Sequence, residues 1–184
     1  MSIRITGGSM RGRNVPSPDT SKTRPTASRT REALFNILQG VENFRVLDLF
    51  AGTGIMGIEA LSRGAASVTA VEMAKVQAKL VLQAYKALSL ESKLNLLETS
   101  VLTLSKDALC KDEGFDLIYA DPPFKDMAYP DLRNFWDWLN PGGVAVFEAP
   151  TKNLPAWAKE AEAEDLLKIR KYGESSLLIY RKVL

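Results

Sequence analysis

The sequence predicts an α/β fold: a doubly wound, mostly parallel sheet with helices on both faces, one antiparallel strand, and a short basic hairpin extension at the amino terminus. Three observations predict it. From residue 45 onward, short apolar runs alternate with helical patterns, the signature of βαβ crossovers and a parallel sheet. A glycine-bearing turn, Gly52-Thr53-Gly54, follows the first of these runs and opens a helix. Near the end, strand-like runs at 166–171 and 176–182 are joined by Tyr172-Gly173-Glu174-Ser175, a hairpin spacing that adds one antiparallel strand.

The elements follow in order. Ile3-Arg4-Ile5 and Arg13-Asn14-Val15 flank glycines 7, 8 and 12 and read as a hairpin. The Pro-, Ser- and Thr-rich stretch 16–26 reads as a loop. Ala33, Leu34, Ile37 and Leu38 recur at helical spacing, which predicts an amphipathic helix over 28–39. Strands are expected at 46–50, 67–71, 94–97, 115–120 and 144–148. Helices are expected at 55–63, 74–89, near 102–110, and at 130–139.

A length of 184 residues fits a single domain over 1–184. With 46% hydrophobic and 25% charged residues, the chain has material for a core and is unlike a disordered segment. It contains no histidine, which excludes a Ser-His-Asp triad, a Cys-His pair and an HExxH zinc site. Its one cysteine, Cys110, excludes an intrachain disulfide and a cysteine zinc cluster, so no metal site is expected. No apolar run approaches a membrane span and the first residues are unlike a secretory signal, so the expected compartment is the cytoplasm, with no membrane partner.

Charge is unevenly distributed. Residues 1–40 carry seven Lys/Arg and two acids. Against chain totals of 24 and 22, this leaves 17 basic and 20 acidic residues in 41–184. A basic extension, 1–40, on a slightly acidic body, 41–184, points to a polyanion contact at that end, although a solvated basic tail gives the same count.

Two motifs carry chemistry. The first is Asp48-Leu49-Phe50-Ala51-Gly52-Thr53-Gly54. Glycines after a strand let backbone approach a ligand closely beside a helix N-terminus, and the same glycines also serve as plain turn residues. Glu72, 18 residues past Gly54 at the end of the second body strand, stands where an acid holds ribose hydroxyls. Asp48 is the only charge in an apolar strand, a position that calls for a partner. The second motif is Asp121-Pro122-Pro123-Phe124 at the end of the fourth strand, an acid on a stiffened backbone followed by an aromatic ring.

With these residues the chain resembles class I S-adenosylmethionine-dependent methyltransferases of the [Asp/Asn]-Pro-Pro-[Phe/Tyr] group. Within them it is most similar to the bacterial RsmD family of 16S rRNA guanine-N2 methyltransferases. The likeness runs over nearly the whole chain. It includes Arg4-Ile5-Thr6-Gly7-Gly8, Arg11-Gly12-Arg13, Arg24-Pro25-Thr26, the segment 29–36, the block 47–64, Glu72-Met73 and the Asp-Pro-Pro-Phe. It implies a Rossmann-like methyltransferase body and S-adenosyl-L-methionine as cofactor. It further implies a 16S rRNA substrate, presented on an assembled small ribosomal subunit. A monomer is the default expectation. Where the family often has a polar or acidic residue after the third strand, this chain has Thr99-Ser100-Val101.

The resemblance implies roles for each residue. Asp121 and the Pro122 carbonyl each accept one N–H of an exocyclic amine, so the nitrogen pyramidalises and its lone pair turns toward the methyl group. Such positioning supplies several kcal/mol, up to about 7–11 in favourable cases. Phe124 stacks on the base, worth about 1–3 kcal/mol. Cofactor contacts fall to Asp48, Phe50, Ala51, Gly52, Gly54, Glu72, Met73 and Val101. Arg4, Arg11, Arg13, Arg24, Arg29 and Arg31 are the expected contacts to RNA phosphates.

Other readings remain. The motif selects an amine rather than a base, so adenine-N6 or cytosine-N4 methylation of DNA or RNA is the runner-up. A protein-glutamine methyltransferase, a noncatalytic RNA-binding module and a nicotinamide dehydrogenase are weaker fits; the last leaves Asp-Pro-Pro-Phe without a role. Trp136, Trp138 and Trp157 are expected to pack in the core, and Cys110 to be a small hydrophobe. Tyr129 is a weaker candidate for the substrate pocket, and 159–168 reads as a solvated face.

Overall fold

A computed structural model describes residues 2–16, 27–111, 113–123, 132–152, 154 and 166–183. The chain forms two compact units, Met1–Thr103 and Leu104–Leu184.

In the first unit, β1 (Ser2–Arg4) and β2 (Asn14–Pro16) form an antiparallel pair with Ile3 opposite Val15. Both of these side chains are buried and their neighbours exposed, the period-2 pattern of a half-buried hairpin. The parallel strands are β3 (Arg45–Asp48), β4 (Ser67–Val71) and β5 (Leu94–Leu97), in the order β5-β4-β3. Helices α2 (Ile55–Ser62) and α3 (Lys75–Ala87) make the crossovers, and α1 (Ser28–Leu38) precedes them.

Every residue of α2 is buried, so this helix is packed on all sides. The hairpin loop seals its C-terminal end. Ser9 N–H donates to the Ser62 carbonyl at 2.7 Å, Met10 N–H to Ser62 Oγ at 3.0 Å, and Ser62 Oγ to the Gly7 carbonyl at 2.6 Å. Gly8, at φ +77°, sits so close that a Cβ would collide with the Ser62 carbonyl. The basic extension is therefore docked onto the body.

In the second unit the strands are β6 (Phe115–Ala120), β7 (Leu139–Pro150), β8 (Leu166–Tyr172) and β9 (Ser175–Arg181), in the order β6-β7-β9-β8. β6 and β7 are parallel, and β9 runs against both β7 and β8 as the one antiparallel strand. β7 is longer than the expected 144–148. Its register to β6 jumps from Leu139 to Val144, and Pro141-Gly142-Gly143 bulges out, tied by Gly142 N–H to the Lys182 carbonyl at 3.0 Å.

Two expected helices differ. In place of one helix near 102–110 there is a 3₁₀ turn, Val101–Thr103, and a single helical turn, α4 (Lys106–Leu109). Ser and Thr hydroxyls here compete with backbone helix bonds: Thr103 Oγ1 donates to the Ser100 carbonyl at 2.8 Å. Over 130–139 the described part is a 3₁₀ helix, Leu132–Trp138. Its three-residue repeat aligns Phe135 with Trp138, whose rings meet edge-on at 4.8 Å. Trp138 is buried and Trp136 lies edge-on to Tyr180 at 6.4 Å, both packing residues as expected. Trp157, Tyr129 and most of 159–168 lie outside the described residues. Cys110 is half-buried and forms no disulfide.

Candidate active site

In the first unit, the C-terminal ends of β3 and β4 carry the glycine turn and its acids. β3 ends on Asp48, whose side chain is 1% exposed. The chain then turns through Phe50 (half-buried) and Ala51 (buried), with Gly52 at φ +55° and Gly54 at φ +73° as the N-cap of α2. Gly54 is pressed from below: a Cβ there would lie 3.0 Å from Val81 and 3.2 Å from the Tyr85 ring. Gly57 is tighter still, since its Cβ would strike the Tyr85 hydroxyl. Small residues are thus required both by the left-handed backbone and by α3 behind it.

Glu72 follows β4 and turns back to the glycines. Its carboxylate accepts the Gly52 N–H at 3.0 Å and the Ala74 N–H at 2.8 Å. Each oxygen keeps a further lone pair for another donor. Gln77, on α3, donates to the Gly52 carbonyl at 2.5 Å and so fixes the turn from its other side. Only the tertiary fold reveals Gln77, because nothing in its sequence position marks it. Met73 is 69% exposed, Val76 and Leu102 are exposed beside it in sequence or on the next strand's loop, and Val101 is buried.

Asp48 Oδ1 is buried and has no hydrogen-bond partner among the described residues, and the same holds for the Tyr85 hydroxyl. Burial pushes the Asp48 carboxyl up to about 7; the Phe50 N–H opposes this and the Glu72 charge reinforces it. Burial, with the nearby Asp48 charge, drives the Tyr85 phenol well above its usual range. An orphaned carboxylate oxygen beside an open glycine turn calls for a cationic donor, and Glu72 for hydroxyl donors. S-adenosylmethionine, with an ammonium group and ribose hydroxyls, matches that donor set.

In the second unit, β6 ends at Ala120 and leads into Asp121, half-buried, then Pro122, buried, and Pro123, exposed. Two successive prolines fix the backbone on which the acid stands. Phe124 lies outside the described residues.

Arg4, Arg11, Arg13 and Arg29 are exposed in the first unit, and Arg24 lies outside the described residues. Arg31 corrects the expectation of a phosphate contact. Its side chain is 1% exposed, and its guanidinium donates to Glu59 Oε1 at 3.0 Å, to the Arg4 carbonyl at 2.8 Å and to Ser28 Oγ at 3.3 Å. Glu59 also accepts the Thr6 N–H at 2.8 Å, the Thr6 hydroxyl at 3.0 Å and a guanidinium N–H of Arg63. Burial alone would raise the Glu59 carboxyl; the bonds from Arg63, Thr6 and Arg31 outweigh it and hold it below its usual value. The sequence signal was Glu59 itself, a lone carboxylate in the apolar helix α2.

Among the described residues, no group of three or more His, Cys, Asp or Glu is placed to hold a metal ion, and no helix is long and apolar enough to cross a membrane.

Three relatives give the arrangement its context. Ribosomal RNA small subunit methyltransferase D of Haemophilus influenzae is 37% identical over 186 residues, covering 97% of this chain and 93% of its own. The solved structure of putative methyltransferase yhhF from Escherichia coli superposes with a TM-score of 0.80 at 27% identity, over 100% of this chain and 99% of that one. T. thermophilus 16S rRNA N2 methyltransferase RsmC, solved in complex with AdoMet and guanosine, gives a TM-score of 0.73 at 25% identity, over 99% of this chain and 50% of that one. The fold, a mostly parallel sheet with helices, is that of class I methyltransferases. The family described as Conserved hypothetical protein 95 matches residues 3–181, so with the glycine turn, Glu72 and Asp121-Pro122-Pro123 in place the chain belongs to this RsmD family of S-adenosylmethionine-dependent methyltransferases.

Proposed function

We propose that this protein transfers a methyl group to the exocyclic N2 of a guanine in 16S rRNA, acting in the cytoplasm as a monomer on an assembled small ribosomal subunit. The observation that carries the amine-methylating reading is Asp121 on the rigid Pro122-Pro123 backbone at the end of β6. The names of the RsmD relative and of the RsmC structure support the choice of rRNA and of N2.

The cofactor supplies an electrophilic methyl group on a positively charged sulfur. Asp48 and the glycine turn hold its amino-acid end, and Glu72 its ribose. Asp121 and the Pro122 carbonyl accept the two amine hydrogens, which takes the nitrogen lone pair out of conjugation with the ring. With the cofactor bound, its sulfonium would supply the methyl carbon to that nitrogen and leave as a neutral thioether, and the amine proton that the nitrogen then sheds would pass to solvent. No strong base is needed, because the nitrogen becomes acidic on alkylation; this suits a chain without histidine. Phe124 stacks against the base, which is unpaired or extruded from its helix. Arg4, Arg11, Arg13, Arg24 and Arg29 contact phosphates, whereas Arg31 supports the element that carries them.

The test is tritiated methyl transfer from S-adenosylmethionine to small subunits from cells lacking the gene, alongside naked 16S rRNA, followed by nucleoside mass spectrometry. The expected product is N2-methylguanosine, lost with Asp121→Ala. Label in adenosine or cytidine instead would redirect the reading to the other amines.

A further inference from the structure

Between the amino-terminal hairpin and the start of α1 lies an open cavity of about 280 Å³, lined by Arg4, Ile5, Thr6, Arg11, Ser28 and Glu32. Both arginines are exposed and neither forms an ion pair among the described residues. The Arg4 guanidinium extends across Gly12, where a Cβ would come within 3.5 Å of it. The first turn of α1 has no acidic residue and no side-chain cap, so its N–H groups add positive potential on the same side.

The walls of this cavity are held from behind by the buried charges. Thr6 is fixed to Glu59 by two hydrogen bonds, and Arg31 links Glu59 to the Arg4 carbonyl and to Ser28 Oγ. One fully buried carboxylate thereby sets the hairpin wall and the helix wall at once. Two guanidiniums with no ion-pair partner among the described residues thus rise from a backbone that is held in place before a ligand arrives, a frame suited to an anion.

We infer that this cavity is an RNA subsite that holds one backbone phosphodiester of a single-stranded segment between Arg4 and Arg11, with the adjoining ribose 2′-hydroxyl turned to Glu32. Glu32 cannot face a phosphate oxygen, and the 2′-hydroxyl is the hydrogen-bond donor nearest to a phosphate in RNA. Its acceptor is what lets the site tell RNA from DNA. The inference rests on the rRNA reading above and adds to it a place and a chemistry for substrate capture.

The test measures binding of a fluorescent single-stranded oligoribonucleotide and of its deoxy counterpart across a salt series. Arg4→Gln with Arg11→Gln is expected to weaken RNA binding about tenfold and to flatten the salt slope by about one to two, with S-adenosylmethionine affinity unchanged. Lys86→Gln with Lys93→Gln, which removes the same charge from exposed positions elsewhere, is the control and should do neither. Glu32→Gln should reduce the preference for RNA over DNA. Inorganic phosphate at matched ionic strength should compete weakly; competition as strong as that of RNA would mark a free-phosphate site and overturn the inference. Equal losses in the double variant and the control, or no loss in either, would also overturn it. If the wild-type protein binds S-adenosylmethionine but neither binds nor methylates rRNA, the rRNA reading itself falls.

Discussion

Glu59 and Arg31 meet at 3.0 Å in the interior of the first unit, with 0% and 1% of their side chains exposed. The pair joins α2 to α1, and Thr6 and Arg63 bring the hairpin loop and the end of α2 to the same carboxylate. Arg63 is held in turn over the Phe35 ring at 4.3 Å from its centroid. A buried charge is tolerable only when paired, so the shared acceptor matters more than any one donor.

Glu59→Gln leaves two guanidiniums facing a neutral amide and should cost about 3–5 kcal/mol of stability. Arg31→Met should cost less, because Arg63 and Thr6 remain on the carboxylate. Urea unfolding of the two variants checks the order; a larger loss for Arg31→Met would refute Glu59 as the hub. The pH dependence has a definite sign. Because the folded Glu59 carboxyl lies below its usual 4.5, its contribution is present above that value and is lost as pH falls through the folded one.

Asp48 has the opposite sign. Its carboxyl is raised by burial, and further by Glu72, from 3.8 to about 7, against the pull of the Phe50 N–H. Below about pH 4 it is neutral in both states. As pH rises from there toward 7 the unfolded chain releases the proton and the folded one keeps it, so stability falls across that window and levels off above it. Asp48→Asn should abolish this fall, and its melting temperature should exceed that of the wild type increasingly from pH 4 to 7. The same ionisation governs ligand affinity: a cationic amino group favours the carboxylate, so wild-type S-adenosylmethionine binding should weaken below pH 7. Calorimetry at pH 6 and 8 checks this, and equal affinities would remove Asp48 from the cofactor site.

Gly57 and Tyr85 offer a test of the turn's packing. Gly57→Ala places a methyl group against the Tyr85 hydroxyl and 2.8 Å from Val68 Cγ1, so overpacking should cost about 1–3 kcal/mol. Tyr85→Phe removes a buried hydroxyl that has no partner among the described residues, which should be neutral or stabilising. Combined, the two should recover part of the loss, a coupling of about 0.5–3 kcal/mol. Strict additivity in denaturant melts would show that the ring is not what excludes a side chain at position 57.

The sequence exposed the parts of this architecture that are written locally. Alternating apolar runs located β4 and β6 to the residue, and the glycine turn located the start of α2. What it could not show depends on partners distant in the chain. Arg31 lies in a basic segment and reads as a phosphate contact until Glu59, 28 residues on, comes beside it. Asn140-Pro141-Gly142-Gly143 reads as a break before a strand, yet bonds from Gly142 and Gly143 to Lys182 carry β7 through it as a bulge. Gln77 carries no local mark, and its role follows from α3 packing beneath the turn.

Asp121 separates chemistry from binding. It stands at the end of β6 and is assigned to the amine, whereas Asp48, Gly52 and Glu72 are assigned to the cofactor, so removing its carboxylate should leave cofactor affinity intact. Asp121→Ala takes away an acceptor that acts on the amine as charge develops, and losing one such group costs about 10²–10³ in rate. Asp121→Asn retains a carbonyl oxygen in nearly the same place and should fall between wild type and Asp121→Ala. The ordering tests the proposed role: an acceptor that only orients the amine tolerates the amide in part, whereas a general base that must take a proton does not. Single-turnover methyl transfer with saturating cofactor distinguishes them. Equal inactivity of both variants with unchanged cofactor binding would favour proton abstraction over orientation as the work of this carboxylate.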